Sequence, residues 1–439
     1  MVIGSISRTP GLVKKTQRRH ASAASRGSNE TDARHSEAAG TRVLIYSHDT
    51  FGLGHFRRCL KIAGEIRTQS PDASVLLITG SPLAHRFPIP HGIDFVKLPA
   101  VVKTGNDEYR SRSLEISIHD MISIRARIIQ ETALAFSPDV LLVDHAPLGL
   151  RGEALPALQS LRGRSTRPAM ILGLRDIIDE PARIISQWQE ANVYDAIDLH
   201  YDHVTVYGQA DVFDTRAEYQ FPSQVAKKMT FSGFISGAQA DSARPRRATA
   251  RKHPLVLVTV GGGEDGGQIV DAYIEMLRRH IAEVTFDTVL LPGPLLSDAQ
   301  VAGLRRASRG LPIRILHFVP DVVPLLAGAD LVISMAGYNA VAEILANARR
   351  ALLIPREWPR QEQLIRAQRF AAMGCVDMLR NSELSDRNIW KRITKLLTAT
   401  ADPLADMRKK TSVVTDGAKN VASLLLHSLR TRQNKESQR

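Results

Sequence analysis

Cysteine is scarce in this 439-residue sequence: Cys59 and Cys375 stand alone and far apart. Two such thiols exclude a Cys-x-x-Cys zinc cluster and supply no disulfide framework, a usage that fits a reducing compartment. Long hydrophobic runs are missing too. No stretch reaches the roughly 18 apolar residues that a membrane-spanning helix needs. Residues 1–40 lack the apolar core of a secretory signal. They are acid-poor up to Glu30, a transit-peptide trait, but without periodicity they read as a disordered basic extension. The expected location is cytoplasmic.

Acidic charge is also short, with a net charge of +13. The excess is local. Residues 1–40 carry +4, residues 244–253 carry +5 and the tail 427–439 carries +3, which leaves the rest nearly neutral. No aromatic residue interleaves these basic runs, so stacking on nucleic acid is not expected. They read as solvated tails and a linker, with an electrostatic hold on anionic lipid as the alternative.

What is present is alternation. Leucine-rich and β-branched runs at 42–47, 75–80, 93–98, 140–145, 169–174 and 203–207 alternate with amphipathic stretches such as 55–69, 114–136 and 181–193. After an Ala/Arg/Pro/Ser-rich segment the pattern restarts, with runs at 255–260, 286–291, 313–318, 331–335, 351–354 and 375–379. Continuous apolar strands separated by helices indicate parallel sheets covered on both faces. The expected architecture is α/β, with two tandem Rossmann-like doubly wound domains facing a cleft. The expected units are an extension at 1–40, a domain at 41–235, a linker at 236–254, a second domain at 255–400, and helices with a basic tail at 401–439. The helical end, about 385–430, either stays with the second domain or crosses back to the first.

Loops after parallel strands are where such sheets hold ligands. The first strand runs into His48-Asp-Thr-Phe-Gly-Leu-Gly-His55. Gly52 and Gly54 permit a sharp turn, and His55 begins a helix facing the cleft, where a neutral imidazole can accept a proton. The alternative is a plain glycine turn. The fourth strand ends in Asp144-His145, and His145 either orients His55 or a substrate group, or makes a loop hydrogen bond. Arg175-Asp176 is either a local ion pair or part of the site. The run GGGEDGG (261–267) frees amides, among them those of Gly261, Gly262 and Gly263, to face a diphosphate; otherwise it is a connector. In LVISMAGYNAVAEI (331–344), Ser334 ends a strand, Gly337 turns, and Glu343 lies about one helical turn in. That carboxylate either accepts from a ribose diol or is solvated on the helix surface. Glu362 and Gln363 begin another helix, as sugar-hydroxyl ligands or as ordinary surface.

Taken together, SMAGYNAVAEI, LLIP and REWPRQEQLIRA resemble the Ser-x-x-Gly-(x)5-Glu-Ile, Pro and Gln-Gln-x-x-Asn-Ala elements of MurG-like family 28 glycosyltransferases, which have the GT-B fold. The likeness is strongest over about 255–380 and is similar to a branch of bacterial glycosyltransferases. It implies that Glu343 binds ribose, Gly261 to Gly267 line the diphosphate, Phe318 and the Val319 backbone meet uracil, and Glu362 and Gln363 touch the donor sugar. There are departures: Glu264 and Asp265 replace the usual Ser and Gln, Glu362 replaces the first Gln, and Arg366 replaces Asn. GLGHFRRCLKIA (52–63) is also similar to the nucleotide-sugar hydrolase of pseudaminic acid biosynthesis.

The implied activity is transfer of a sugar from a nucleotide sugar, UDP-linked, to an acceptor hydroxyl on a lipid or polysaccharide of the cell envelope. His55 acts as base, and Gly52, Gly54 and His145 lie on the acceptor side. The alternative is a hydrolase whose His55 activates water. No Asp-x-Asp follows a strand, so neither a metal ion nor a cofactor is expected. Phe87, Ile89, Ile93, Phe95 and Val101 either form a membrane-resting patch, giving a peripheral location on the inner face of the plasma membrane, or join the core.

Overall fold

The β-branched and leucine-rich runs fold as strands with almost no contact with solvent. Every residue of Val140–Asp144 is buried, and in Arg42–Ser47 only the first is not. Each fully buried Val or Leu contributes roughly 1.5–3 kcal/mol, so these runs fix both sheet centres. The structure, a computed structural model, describes residues 40–48, 54–103, 109–237, 251–262, 265–410 and 413–437. The extension at 1–40, apart from its last residue, and most of the segment at 236–254 fall outside them, as do Gly52, Gly263 and Glu264.

The strands are β1 (Arg42–Ser47), β2 (Ser74–Thr79), β3 (Ile93–Lys97), β4 (Val101–Lys103), β5 (Tyr109–Ser111), β6 (Val140–Asp144), β7 (Ala169–Arg175), β8 (His203–Tyr207) and β9 (Met229–Phe231). They continue with β10 (Leu255–Thr259), β11 (Asp287–Leu291), β12 (Ile313–Ile315), β13 (Leu331–Ser334), β14 (Ala351–Leu353) and β15 (Asp377–Met378). The first sheet has the order β3-β2-β1-β6-β7-β8-β9 and the second β12-β11-β10-β13-β14-β15. All pairs in both are parallel. Strand order reverses between β1 and β6 in one sheet and between β10 and β13 in the other. The crevice outside such a reversal is where ligands bind.

Residues 41–439 pack as one compact unit, and one apolar cluster runs through both sheets. Helix Gly54–Gln69 follows β1 and buries Phe56, Cys59, Ile62 and Ile66 in it. The chain end resolves the open alternative by doing both. Helix Asp386–Thr398 packs on Gly267–Arg279 beside the second sheet, while Gly417–Ser437 returns to Gly54–Gln69 and to β6 and β7.

Several expectations need correction. The antiparallel β4–β5 hairpin and strand β9 were not foreseen. The helix expected from 114 starts at Ile118, because the Ser117 side chain caps the amide of Asp120. β12 stops at Ile315, so Phe318 and Val319 lie in the loop beyond it. Phe87, Ile93 and Val101 are buried, while Ile89 and Phe95 pack against the core; they form no exposed patch. Among the described residues no helix is long and apolar enough to cross a membrane.

Candidate active site

A cavity of about 330 Å³ opens where the carboxyl ends of both sheets face each other. His55 and Arg175 line it from the first sheet, and Gly261, Gly262, Phe318, Glu343 and Gln363 from the second. Val319, Ser334, Gly337 and Glu362 border it as well. The approach between the halves is close. The Gly54 carbonyl accepts from Asn339 Nδ2 at 2.8 Å, and a Cβ on Gly54 would stand 2.9 Å from that nitrogen. Gly261 turns the chain after β10 with φ +73°, a conformation that favours glycine.

On the first side, His55 Nδ1 lies 2.6 Å from Asp144 Oδ2. Arg58 grips the same carboxylate through Nε at 3.0 Å and Nη2 at 2.8 Å. Burial raises the Asp144 pKa, but Arg58 and His55 outweigh it and hold the carboxyl below its usual range. A carboxylate must receive a proton from Nδ1, so the unprotonated nitrogen of His55 is Nε2. Burial, opposed by the Asp144 hydrogen bond, pushes the His55 pKa down to about 4. The imidazole is therefore neutral at pH 7 and ready to accept a proton.

The orienting residue is Asp144, not His145. His145 has φ 68°, which turns the chain at the strand end, and its Nε2 meets Arg175 Nη2 at 3.0 Å. Arg175 and Asp176 do not pair with each other. Asp176 instead holds Arg366 at 2.6 and 2.8 Å, across the two halves and fully buried. His48, His55 and His145 cluster with ring centroids 5.2–6.0 Å apart. His48 and the contact of His145 with Arg175 are features that sequence reading missed.

On the second side, Glu343 is buried rather than solvated on its helix. It accepts from Arg57 Nη2 at 2.9 Å and Lys61 Nζ at 2.6 Å, both from the helix after β1. Burial raises its pKa, yet these two cations keep it ionised, below the ordinary range. Arg356 binds Asp265 at 2.8 Å and Glu362 at 2.5 Å, while its backbone amide donates to Gln363 Oε1. Ser334 Oγ donates to the Met335 carbonyl. Among the described residues no group of three or more His, Cys, Asp or Glu is placed to hold a metal ion.

Residues 256–421 match the family model described as the glycosyltransferase family 28 C-terminal domain. They resemble a family 28 domain. Its relatives include the UDP-N-acetylglucosamine–N-acetylmuramyl-(pentapeptide) pyrophosphoryl-undecaprenol N-acetylglucosamine transferase of Clostridium botulinum (strain Kyoto / Type A2). That protein is 27% identical over 177 residues, 39% of this chain and 46% of its own length. The Geobacillus kaustophilus protein of the same description is 31% identical over 144 residues, 32% of this chain and 38% of its own. The chain thus spans less than half the length of these curated relatives. Two solved structures extend the likeness beyond the family 28 domain. MurG of Acinetobacter baumannii superposes with a TM-score of 0.55 at 15% identity, covering 88% of this chain and 99% of that one. The glycotransferase of kitacinnamycin gives 0.60 at 15%, covering 89% and 100%. At such identity these carry the fold: two facing α/β halves of the GT-B type, as the sequence predicts.

Proposed function

We propose that the protein transfers a sugar from a nucleotide sugar, UDP-linked, to an acceptor hydroxyl. The observation that carries this is a neutral imidazole, oriented by Asp144, opening on the same cavity as Glu343 of the family 28 domain. The relatives of that domain are described as UDP-N-acetylglucosamine-dependent transferases.

In this reading the donor lies along the second sheet. Glu343 holds the ribose diol, and Phe318 with the Val319 backbone meets the base. Amides of Gly261 and Gly262 and the helix start at Gly267 face the diphosphate. Glu362 and Gln363 meet the sugar, with the Gln363 NH₂ free to donate. The acceptor enters from the side of Gly54 and His145. As the acceptor oxygen bonds to the anomeric carbon, its proton passes to His55 Nε2. The bond from that carbon to the diphosphate oxygen breaks, and the nucleotide leaves with the electron pair. Backbone amides stabilise the charge that develops there, so the reading assigns no metal ion. A lipid-linked envelope acceptor, met at the inner face of the plasma membrane, is the reading's acceptor class.

Calorimetric titration of UDP, with GDP and TDP as comparators, tests the donor site. UDP should bind wild type selectively and lose most of its affinity in Glu343→Ala; no binding of any nucleotide would overturn the reading. UDP-sugar turnover follows, with and without acceptors. Turnover that needs no acceptor would replace the transferase with the hydrolase, in which His55 takes its proton from water.

A further inference from the structure

One cation on the cleft wall is not used by the reading above. Arg175 ends β7 and lines the cavity. Its Nη2 meets His145, and its Nε is buried with no hydrogen-bond partner. Among the described residues the other charges facing this wall are answered. Asp144 has Arg58, Glu343 has Arg57 and Lys61, Glu362 has Arg356, and Arg366 has Asp176. Arg360 leans on Asp179 at 4.0 Å. Among the described residues Arg175 alone on this wall touches no carboxylate, Glu362 being its main long-range attraction. Burial lowers its pKa only to about 10, so it stays charged at pH 7.

The neighbours of Arg175 carry buried imidazole nitrogens without partners. Nε2 of His145 faces a guanidinium and must accept, so the proton sits on Nδ1, which is buried and unpartnered. Nδ1 of His48 is likewise unpartnered, and the two rings lie 6.0 Å apart. Burial holds both imidazoles neutral. A buried guanidinium without a counter-charge is costly, and its planar fork matches a carboxylate or a phosphate. The His145 ring is 5.2 Å from that of His55.

We propose that Arg175, with His145 and His48 beside it, binds an anionic group of the acceptor, a carboxylate or phosphate carried near the hydroxyl that His55 deprotonates. This rests on the transferase reading. It makes the acceptor an acidic molecule and gives Arg175 a recognition role that the donor does not need.

The test uses the full chain with its donor side saturated by UDP. Glucuronate, glucose 6-phosphate and neutral glucose are titrated by calorimetry into wild type, Arg175→Gln and Arg175→Lys. At least one anionic sugar should bind wild type ten-fold or more tighter than glucose. That preference should vanish in Arg175→Gln and persist in part in Arg175→Lys, with UDP affinity equal in all three. The responding sugar tells carboxylate from phosphate. Equal binding of all three sugars, or a preference that survives Arg175→Gln, overturns the subsite and leaves the transferase reading standing. A fall in UDP affinity in Arg175→Gln moves the guanidinium to the donor diphosphate and overturns it too. No UDP binding by wild type removes the transferase reading and the subsite with it. Thermal melts give a second readout. Arg175→Met should melt at or above wild type, and the anionic sugar should raise the melting temperature of wild type only. A variant that melts well below wild type would make Arg175 structural and overturn the proposal.

Discussion

Arg58 and Arg366 are both completely buried, both hold an aspartate with two nitrogens, and both lie against the ring of Tyr338. Arg58 and Asp144 belong to the first half, and their carboxylate has a third partner in His55. Arg366 and Asp176 come from different halves, and the guanidinium also donates to the Ala336 carbonyl. One pair aims an imidazole, and the other joins two sheets. The same chemistry thus serves two ends, and what separates them is that Asp144 also meets His55, which lines the cavity.

The largest effect should come from Asp144→Asn. It leaves Arg58 buried without its counter-charge, which costs about 3–5 kcal/mol in such settings, and it turns one of the two accepting oxygens beside Arg58 and His55 into an NH₂ donor, which loosens the hold on His55. Urea melts and turnover should both fall. Asp176→Asn should cost a similar amount, about 3–5 kcal/mol by urea melt, but without moving the pH profile. Replacing that pair together, Asp176→Leu with Arg366→Met, should recover most of the loss, because no unpaired charge remains. If Asp176→Asn shifts the profile as well, the two pairs are not separate devices.

The profile itself is the next comparison. The acid limb of kcat/KM should be half lost near pH 4, the folded value for His55, and not near the ordinary 6.5 or so. The sign for stability follows: the unfolded chain takes the proton first, so stability falls as pH drops from about 6.5 towards 4. An acid limb near 6.5 would mean that His55 is less buried in the working enzyme. The smallest effect is expected from Lys61→Met. It removes one of the two cations competing with ribose for Glu343, so UDP should bind about three- to ten-fold tighter, within the worth of one charge-assisted hydrogen bond. Weaker UDP binding would mean that Lys61 holds the nucleotide itself.

Much of the fold was legible because both sheets are parallel and buried, so each strand reads as an unbroken apolar run. The hairpin β4–β5 and strand β9 were not, since strands of three residues carry too little pattern. In the site, the glycine turn before His55 and the position of Glu343 were visible as loop punctuation after strands. The role of Asp144 was not. Neighbouring residues at a strand end point to opposite sides, and only the positive φ of His145 and the reach of Arg58 decide which one meets His55. Nor could spacing alone bring Arg57 and Lys61 to a carboxylate more than 280 residues away.

Among the described residues, the segments 234–235 and 414–417, where the chain leaves the first half and returns to it, touch. The Phe234 amide donates to the Val414 carbonyl, the Gly417 amide donates to the Phe234 carbonyl, and Ile235 bridges Asp416 in antiparallel fashion. A single strand would act as a swivel, free to turn in any direction. Two strands laced side by side act as the leaf of a door hinge: they bend readily about one line and resist twist and slide. Tied to each other at this point, the two segments cannot shift independently, which favours one bending direction over twist or slide.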